Sequence, residues 1–360
     1  MRAMIPVMAR ARTTADIVIE EPVMNPRRRF LAIAASAGSI ASLPSLAGAS
    51  TSTAATSTWK GVALGASASM TLVHPDRKLA RAAIDDCVAE IDRLESIFSL
   101  YRPQSALVRL NRSGMLAQPP QELVELLSFA LALARRSDGA FDPTVQPLYR
   151  LLADHFARPG AAPAGPVPGE IARVLGSVGH RHVELEADII RLHRPGMAIT
   201  LNGVAQGFIT DRIGDRLRIA GFDDVLVDIG EALALGRRAD GHPWRAAVAD
   251  PLHGDRALFE LDIGDAPGAL PALATSAGSG TRFGPATQLH HLLDPRTGAS
   301  ASHHAGVTVA APRATLADGL STTLSVLAPA RARAMLSTWP GVRAWFIEAD
   351  GRVEQVVASA

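Results

Sequence analysis

Residues 158–169 carry four Pro and three Gly, a stretch through which neither a helix nor a sheet ladder can continue. This surface loop separates two kinds of sequence. Before it, Ile84, Cys87, Val88, Ile91, Leu94, Ile97 and Phe98 recur at the offsets of one α-helical face. A second helix is predicted from Pro120 near its first position, with Gln121 and Glu122 in its first turn. Leu123, Leu126, Leu127, Ala130 and Ala134 form its apolar stripe, and Gly139 closes it. After the loop come short strand-like runs at 225–229, 245–248, 258–263, 307–311 and 343–347. The last is expected to pair with 353–357 as a hairpin across Asp350-Gly351. Helices and strands are interspersed rather than strictly alternating. That pattern predicts an α+β fold, one compact unit with two lobes around a cleft.

The N-terminus reads as an address. Arg27-Arg28-Arg29-Phe30-Leu31 fits the twin-arginine pattern R-R-x-F-L, a mildly apolar Ala-rich run extends to Leu46, and Ala47-Gly48-Ala49 offers a cleavage site. Residues 1–49 are therefore expected to be a signal peptide for the twin-arginine route to the periplasm, 50–58 a flexible leader, and 59–360 the working domain. Met24 is a plausible alternative start. The apolar run is too short and too rich in Ala, Ser and Gly to span a bilayer.

With 48% hydrophobic and 20% charged residues the chain should bury a sizeable core. A formal net charge of +1 gives no electrostatic reason for a nucleic-acid partner. Removing residues 1–49 takes away six Arg and three acidic residues, leaving a slight acidic excess. The single cysteine, Cys87, can form no internal disulfide and lies on the apolar face of the first helix, where it reads as a small buried hydrophobe.

Five segments could carry chemistry. In the first, Ala317 to Pro329, Asp318 and Thr322 stand four residues apart and share a helix face. A carboxylate with a hydroxyl suits Mg²⁺; a helix-capping Asp and a packed Thr would leave the same pattern. Thr200 to Asp211 reads as a Gly-containing turn leading into a helix, a place where backbone groups can approach a phosphate or its metal. Its glycine spacing is neither a dinucleotide fingerprint nor a Walker loop. His290 to Gly298 combines an imidazole, either a general base or a satisfied polar residue, with a tight Asp-Pro-x-Thr-Gly turn. The pairs His290/His291 and His303/His304 have no zinc-site spacing. The remaining two, Ser99 to Ser105 with Asn111 and Gly139 to Val145, are loops with turn formers beside an aromatic ring. No serine-hydrolase elbow is present.

Taken in order, these segments resemble the ApbE family of FAD:protein FMN transferases. Phe98, Ser99, Tyr101, Ser105, Leu107, Leu110 and Asn111 match its F-S-x-Y…S-x-L…L-N motif, and Gly139 to Val145 match G-x-F-D-P-T-V. Thr200 to Asp211 match D-L-G-G-I-A-K-G-Y-x-x-D. Thr275-Ser276 with His291 to Gly298 match T-S…H-I-I-D-P-x-T-G, and Asp318 with Thr322 match A-D-A-L-A-T. The resemblance spans about residues 61–357.

It implies a T-fold-related architecture with a flavin cleft, FAD as substrate and one Mg²⁺. The metal would take Asp318, Thr322 and the backbone carbonyl of Ala205. The flavin nucleotide would meet Tyr101, Ser105, Asp142, Gly203, Ala205, Thr275, Ser276 and His291, with His291 as base and Asp318 as the catalytic metal holder. The acceptor would be a partner redox protein presenting a Thr or Ser hydroxyl. An FAD pyrophosphatase giving FMN and AMP, or a non-catalytic periplasmic flavin-binding protein, are the competing expectations. Thr200, Asn202 and Gln206 replace the family's Asp, Gly and Lys, and Ala277 replaces a Gly. The L-N-G-x-A-Q-G form resembles one branch of that family.

Overall fold

The computed structural model describes residues 31–33, 55–254, 256–284 and 288–358. Its first half contains β1 (Leu31–Ile33), β2 (Ala55–Ala63), β3 (Ala66–His74), α1 (Arg77–Phe98), α2 (Ala106–Ser113), β4 (Met115–Ala117) and α3 (Gln121–Arg136). Then follow α4 (Gln146–Phe156), α5 (Pro168–Leu175), β5 (Val183–Leu185), β6 (Ile189–Leu192) and α6 (Ala205–Ile219). The remainder is β7 (Val225–Asp228), β8 (Ala232–Leu235), β9 (Trp244–Ala249), β10 (Ala257–Ile263), β11 (Ala272–Ala277), β12 (Gly306–Ala311), α7 (Ala314–Val326), α8 (Pro329–Leu336), β13 (Arg343–Ile347) and β14 (Val353–Val357).

The framework is an eight-stranded antiparallel sheet in the order β14-β13-β12-β11-β8-β7-β3-β2. Helices α1, α6 and α7 pack on one face and enclose the main core. The β9–β10 pair covers the other face through Trp244, Ala246, Val248 and Ile263. A strand covered on both sides has no polar face, and all six residues of β12 are buried. Edge strand β2 keeps a strict alternation up to its last residue. A satellite cluster of Leu148, Leu152 and Leu293 forms the second lobe with α4 and α5, so the expected α+β fold with two lobes and a cleft is found.

The first expected helix starts earlier than its apolar series. Asp76 accepts from the amides of Lys78 and Leu79 and caps α1. Gly139 does close α3: its amide reaches the carbonyl of Ala134, with Asp138 (φ 53°) and Gly139 (φ 75°) both left-handed. The C-terminal hairpin turns at Gly351, φ 83°.

Three boundaries differ from the sequence reading. The expected leader 50–58 includes residues 55–58, which form the first half of β2 and pair with His74 to Thr71. The Pro-rich loop ends at Val167, because Pro168 opens α5, where a missing N–H costs nothing. Of the expected signal segment only Leu31–Ile33 lies among the described residues, paired antiparallel with β9.

Candidate active site

Helices α6 and α7 meet closely enough that their end groups serve each other. A Cβ on Gly207 would lie 2.3 Å from the Ala314 carbonyl oxygen, so only glycine permits the approach. Asp211 of α6 accepts from the amides of Ala314 and Thr315 and from the Thr315 hydroxyl, filling the N-terminus of α7. In return Asp318 of α7 accepts the Gly207 amide at 3.0 Å in the first turn of α6. Gly203, just before α6, lies against Thr322, with 3.1 Å between an ideal Cβ there and Thr322 Oγ1.

This crossing forms the floor of a cavity of about 200 Å³. Asp142, Gly203, Thr275, Ser276, His291, Asp318 and Thr322 all line it, although they come from segments separated by up to 180 positions of chain. The hydroxyl of Ser276 on β11 lies 2.8 Å from Ser321 Oγ and 3.2 Å from Thr322 Oγ1, which links sheet to helix at the cavity edge. Among the described residues the lining contains no Lys or Arg.

Asp142 holds the wall. Its Oδ1 accepts from the amide and hydroxyl of Thr144, and its Oδ2 lies against the amide and Nδ1 of His180. The carboxylate thus ties the 142–145 turn to the 179–180 segment. On the far side, the His291 amide donates to the Thr281 carbonyl, and His291 Nδ1 lies 3.2 Å from the same oxygen. A carbonyl only accepts, so that contact assigns the proton to Nδ1 and the lone pair to Nε2. The preceding imidazole, His290, is half-buried against Gly278 with its Nε2 2.8 Å from the Ala301 carbonyl. Burial pushes its pKa below the ordinary histidine value, more than that carbonyl raises it. The expected Asp-Pro-x-Thr-Gly turn is present: Gly298 (φ 80°) donates to the Asp294 carbonyl.

Three expected site residues lie elsewhere. Tyr101 is 69% exposed and outside the cavity lining. Ser105 caps α2, accepting from Val108 and donating to the Ser99 carbonyl; its single hydroxyl is spent on the loop. Ala205, the first residue of α6, is buried behind the wall and adds no lining surface. Asn111 is not in the lining either; it brackets Ile199, donating to its carbonyl and accepting its amide, one residue before Thr200.

The site also contains Glu231, in the turn after β7, which the sequence reading did not single out. It lines the cavity and is 7% exposed, and its Oε2 has no hydrogen-bond partner among the described residues. Burial holds its carboxyl well above the usual range; the Asp318 and Asp228 carboxylates push it further, and the Thr275 amide opposes them in part. Gln206 covers the bare Cα of Gly230 (φ 87°) beside it. An acidic residue following Asp-Ile-Gly at the end of a strand was the available signal.

Residues 64–346 match the model of the ApbE family. A FAD:protein FMN transferase of Treponema pallidum (strain Nichols) is 31% identical over 301 residues, covering 76% of this chain and 78% of that protein. The protein of the same name from Salmonella typhimurium is 28% identical over 285 residues, covering 76% and 79%. Among solved structures, the ApbE protein of Thermotoga maritima superposes with a TM-score of 0.73 at 26% identity, covering 84% of this chain and 97% of that one. The apo flavinyl transferase ApbE of Pseudomonas stutzeri gives 0.68 at 27%, covering 85% and 97%.

Proposed function

The chain belongs to the ApbE family, and on that premise we propose that it transfers FMN from FAD to a Thr or Ser hydroxyl of a partner redox protein, releasing AMP. The observation that carries this reading is the convergence of Asp318, Thr322, Ser276 and His291 on one cavity. Its volume is below the roughly 300–1,000 Å³ of common small-ligand sites, so a dinucleotide would fill it and extend through its mouth.

The residues fit a hard divalent cation. Asp318 and Thr322 present a carboxylate and a hydroxyl from one helix face, and a buried carboxylate oxygen in the same cavity has no partner among the described residues. Oxygen donors of this kind suit Mg²⁺. No group of three or more His, Cys, Asp or Glu arranged for a metal occurs among the described residues. Bound there, the ion supplies charge neutralisation for the diphosphate and its departing half.

The chain's own residues account for the rest. The acceptor hydroxyl oxygen bonds to the FMN phosphorus, the bond from that phosphorus to the bridging oxygen breaks, and AMP leaves with the bridging oxygen. His291 Nε2 takes the hydroxyl proton, since Nδ1 is committed to Thr281. The Ser276–Thr322 hydroxyl contact holds the metal-side wall in register with β11. Asp142 keeps the opposite wall closed.

The test is a transfer assay. Residues 50–360 are incubated with FAD, Mg²⁺ and an acceptor domain bearing the family's Thr motif, and covalent flavin fluorescence is read on a denaturing gel. A fluorescent acceptor that is lost with Asp318→Ala supports the proposal. AMP and FMN released with no labelled acceptor would indicate a pyrophosphatase, and intact FAD a flavin-binding protein.

Export to the periplasm by the twin-arginine route is part of the same proposal, supported by Arg27 to Leu31 and Ala47 to Ala49. Among the described residues no helix is long and apolar enough to cross a membrane. N-terminal sequencing of exported protein should begin at Ser50; a start within 1–30 in the mature protein would refute it.

A further inference from the structure

One carboxylate in the cavity has no part in the reaction just described. Glu231 follows β7, lines the same cavity as Asp318 and Thr322, and is more than nine-tenths buried. Its Oε2 has no hydrogen-bond partner among the described residues. Its charged neighbours, Asp318 and Asp228, have the same sign.

Buried carboxylates are retained in folded proteins when a donor or a positive charge compensates them. Among the described residues none supplies either at Oε2, and no Lys or Arg enters the cavity lining. The Gln206 amide packs over the bare Cα of Gly230. A cation bound in the cavity compensates Glu231 in its ionised form, and what the cavity offers that cation is oxygen: the Asp318 carboxylate, the Thr322 hydroxyl and the orphaned Glu231 oxygen.

We infer that Glu231 is a second carboxylate donor of the divalent-cation site, its Oε2 acting with Asp318 and Thr322. The inference rests on the reading of Asp318 and Thr322 as cation-holding residues. It gives the site two negative side chains, one from α7 and one from the turn after β7, so a single divalent ion neutralises both. It also accounts for two acidic side chains being brought together in a cavity whose described lining has no Lys or Arg.

The test is Mn²⁺ binding to the otherwise intact protein, followed by electron paramagnetic resonance with and without ADP, the diphosphate-bearing half of FAD. Glu231→Gln keeps size and hydrogen-bonding capacity but removes the charge. It should bind Mn²⁺ at least about 10-fold more weakly than wild type, the scale on which metal-site partners act. The Mn²⁺-induced rise in Tm should shrink in parallel, while the metal-free Tm stays level or rises because a carboxyl disfavoured by burial is replaced by a neutral amide of the same shape. Unchanged Mn²⁺ affinity in folded Glu231→Gln, with affinity lost in Asp318→Asn, overturns the inference and leaves the cation site standing. Unchanged affinity in Asp318→Asn, or a wild type that takes no Mn²⁺ under either condition, overturns both. Should Glu231→Gln fail to fold, Glu231→Asp, which retains the charge on a shorter arm, must fold and show a weakened, altered Mn²⁺ spectrum; an unaltered one counts against the inference.

Discussion

Asp211 and Asp318 cap each other's helices. Asp211, on α6, accepts three hydrogen bonds at the start of α7, and Asp318, on α7, accepts the Gly207 amide at the start of α6. The two helices that form the cavity floor are thereby locked in register at one end. Only Asp318 reaches the cavity, so one residue of the pair serves the architecture alone and the other serves both architecture and chemistry.

The pair can be separated by mutation. Asp211→Ala leaves the buried Ala314 amide and the part-buried Thr315 amide without this partner and should cost about 2–3 kcal/mol of stability, on the scale of lost caps and charged hydrogen bonds, while folded protein keeps transfer activity. Asp318→Asn retains an oxygen for the Gly207 amide, so its denaturation midpoint should stay near wild type while transfer falls by about 100-fold or more, roughly 2.7 kcal/mol of barrier. Urea denaturation and single-turnover flavin transfer measure the two effects. Equal losses in both variants would refute the division of roles.

Gly207→Ala should destabilise the protein by about 1–3 kcal/mol, the usual range for overpacking. The added methyl meets the Ala314 carbonyl oxygen at 2.3 Å and Thr315 Cα at 2.8 Å, and neither backbone atom can move aside as a side chain could. Gly221→Ala is a useful comparison: it has open space but a φ of 85°, so its cost comes from backbone conformation alone. Chemical denaturation of both variants checks the difference, and a Gly207→Ala protein as stable as wild type would mean that the helices are less closely apposed.

Cys87 should be inert in the native state. It is buried on α1, and that burial pushes its thiol pKa to about 12. Ellman's reagent at pH 8 should label the folded protein negligibly over an hour and stoichiometrically in denaturant. Fast labelling without denaturant would show that α1 opens from the sheet.

His290 should make stability depend on pH on the acid side. Its folded pKa lies below the ordinary 6.5 because burial disfavours the imidazolium. Above pH 6.5 both states are neutral and its contribution is complete. As pH falls below 6.5 the unfolded chain takes up the proton first, so stability falls until pH passes the folded pKa. Thermal denaturation from pH 7.5 to 5 should show a steeper fall in Tm for wild type than for His290→Gln. Parallel curves would show that this half-buried imidazole makes no contribution.

How much was legible in the sequence varies by element. The face of α1 was readable because one side of a helix on a sheet must be apolar at every third or fourth position, and Ile84 to Phe98 follow that rule. Strands β11 (Ala272–Ala277) and β8 (Ala232–Leu235) were not readable. Their Ala, Ser and Thr residues carry little strand signal, and small side chains are what helices α6 and α7 require of the sheet beneath them. Strand β2 was hidden by its Ser/Thr/Ala composition, which resembles a leader; its pairing with β3 supplies what its side chains do not announce.

The candidate site shows the same division. The sequence alone determined which residues could do chemistry: the Asp318/Thr322 spacing lies within one helix turn, and His291 lies beside a turn whose residues specify it. Local geometry fixes such pairs wherever the helix is placed. The tertiary structure decided which of them meet. It brought Asp318, Thr322, Ser276 and His291 to one cavity, turned Ser105 inward to cap α2, left Tyr101 outside, and added Glu231 to the same cavity as Asp318. Burial and the approach of distant charges depend on how the chain packs, and no spacing along the sequence carries that information.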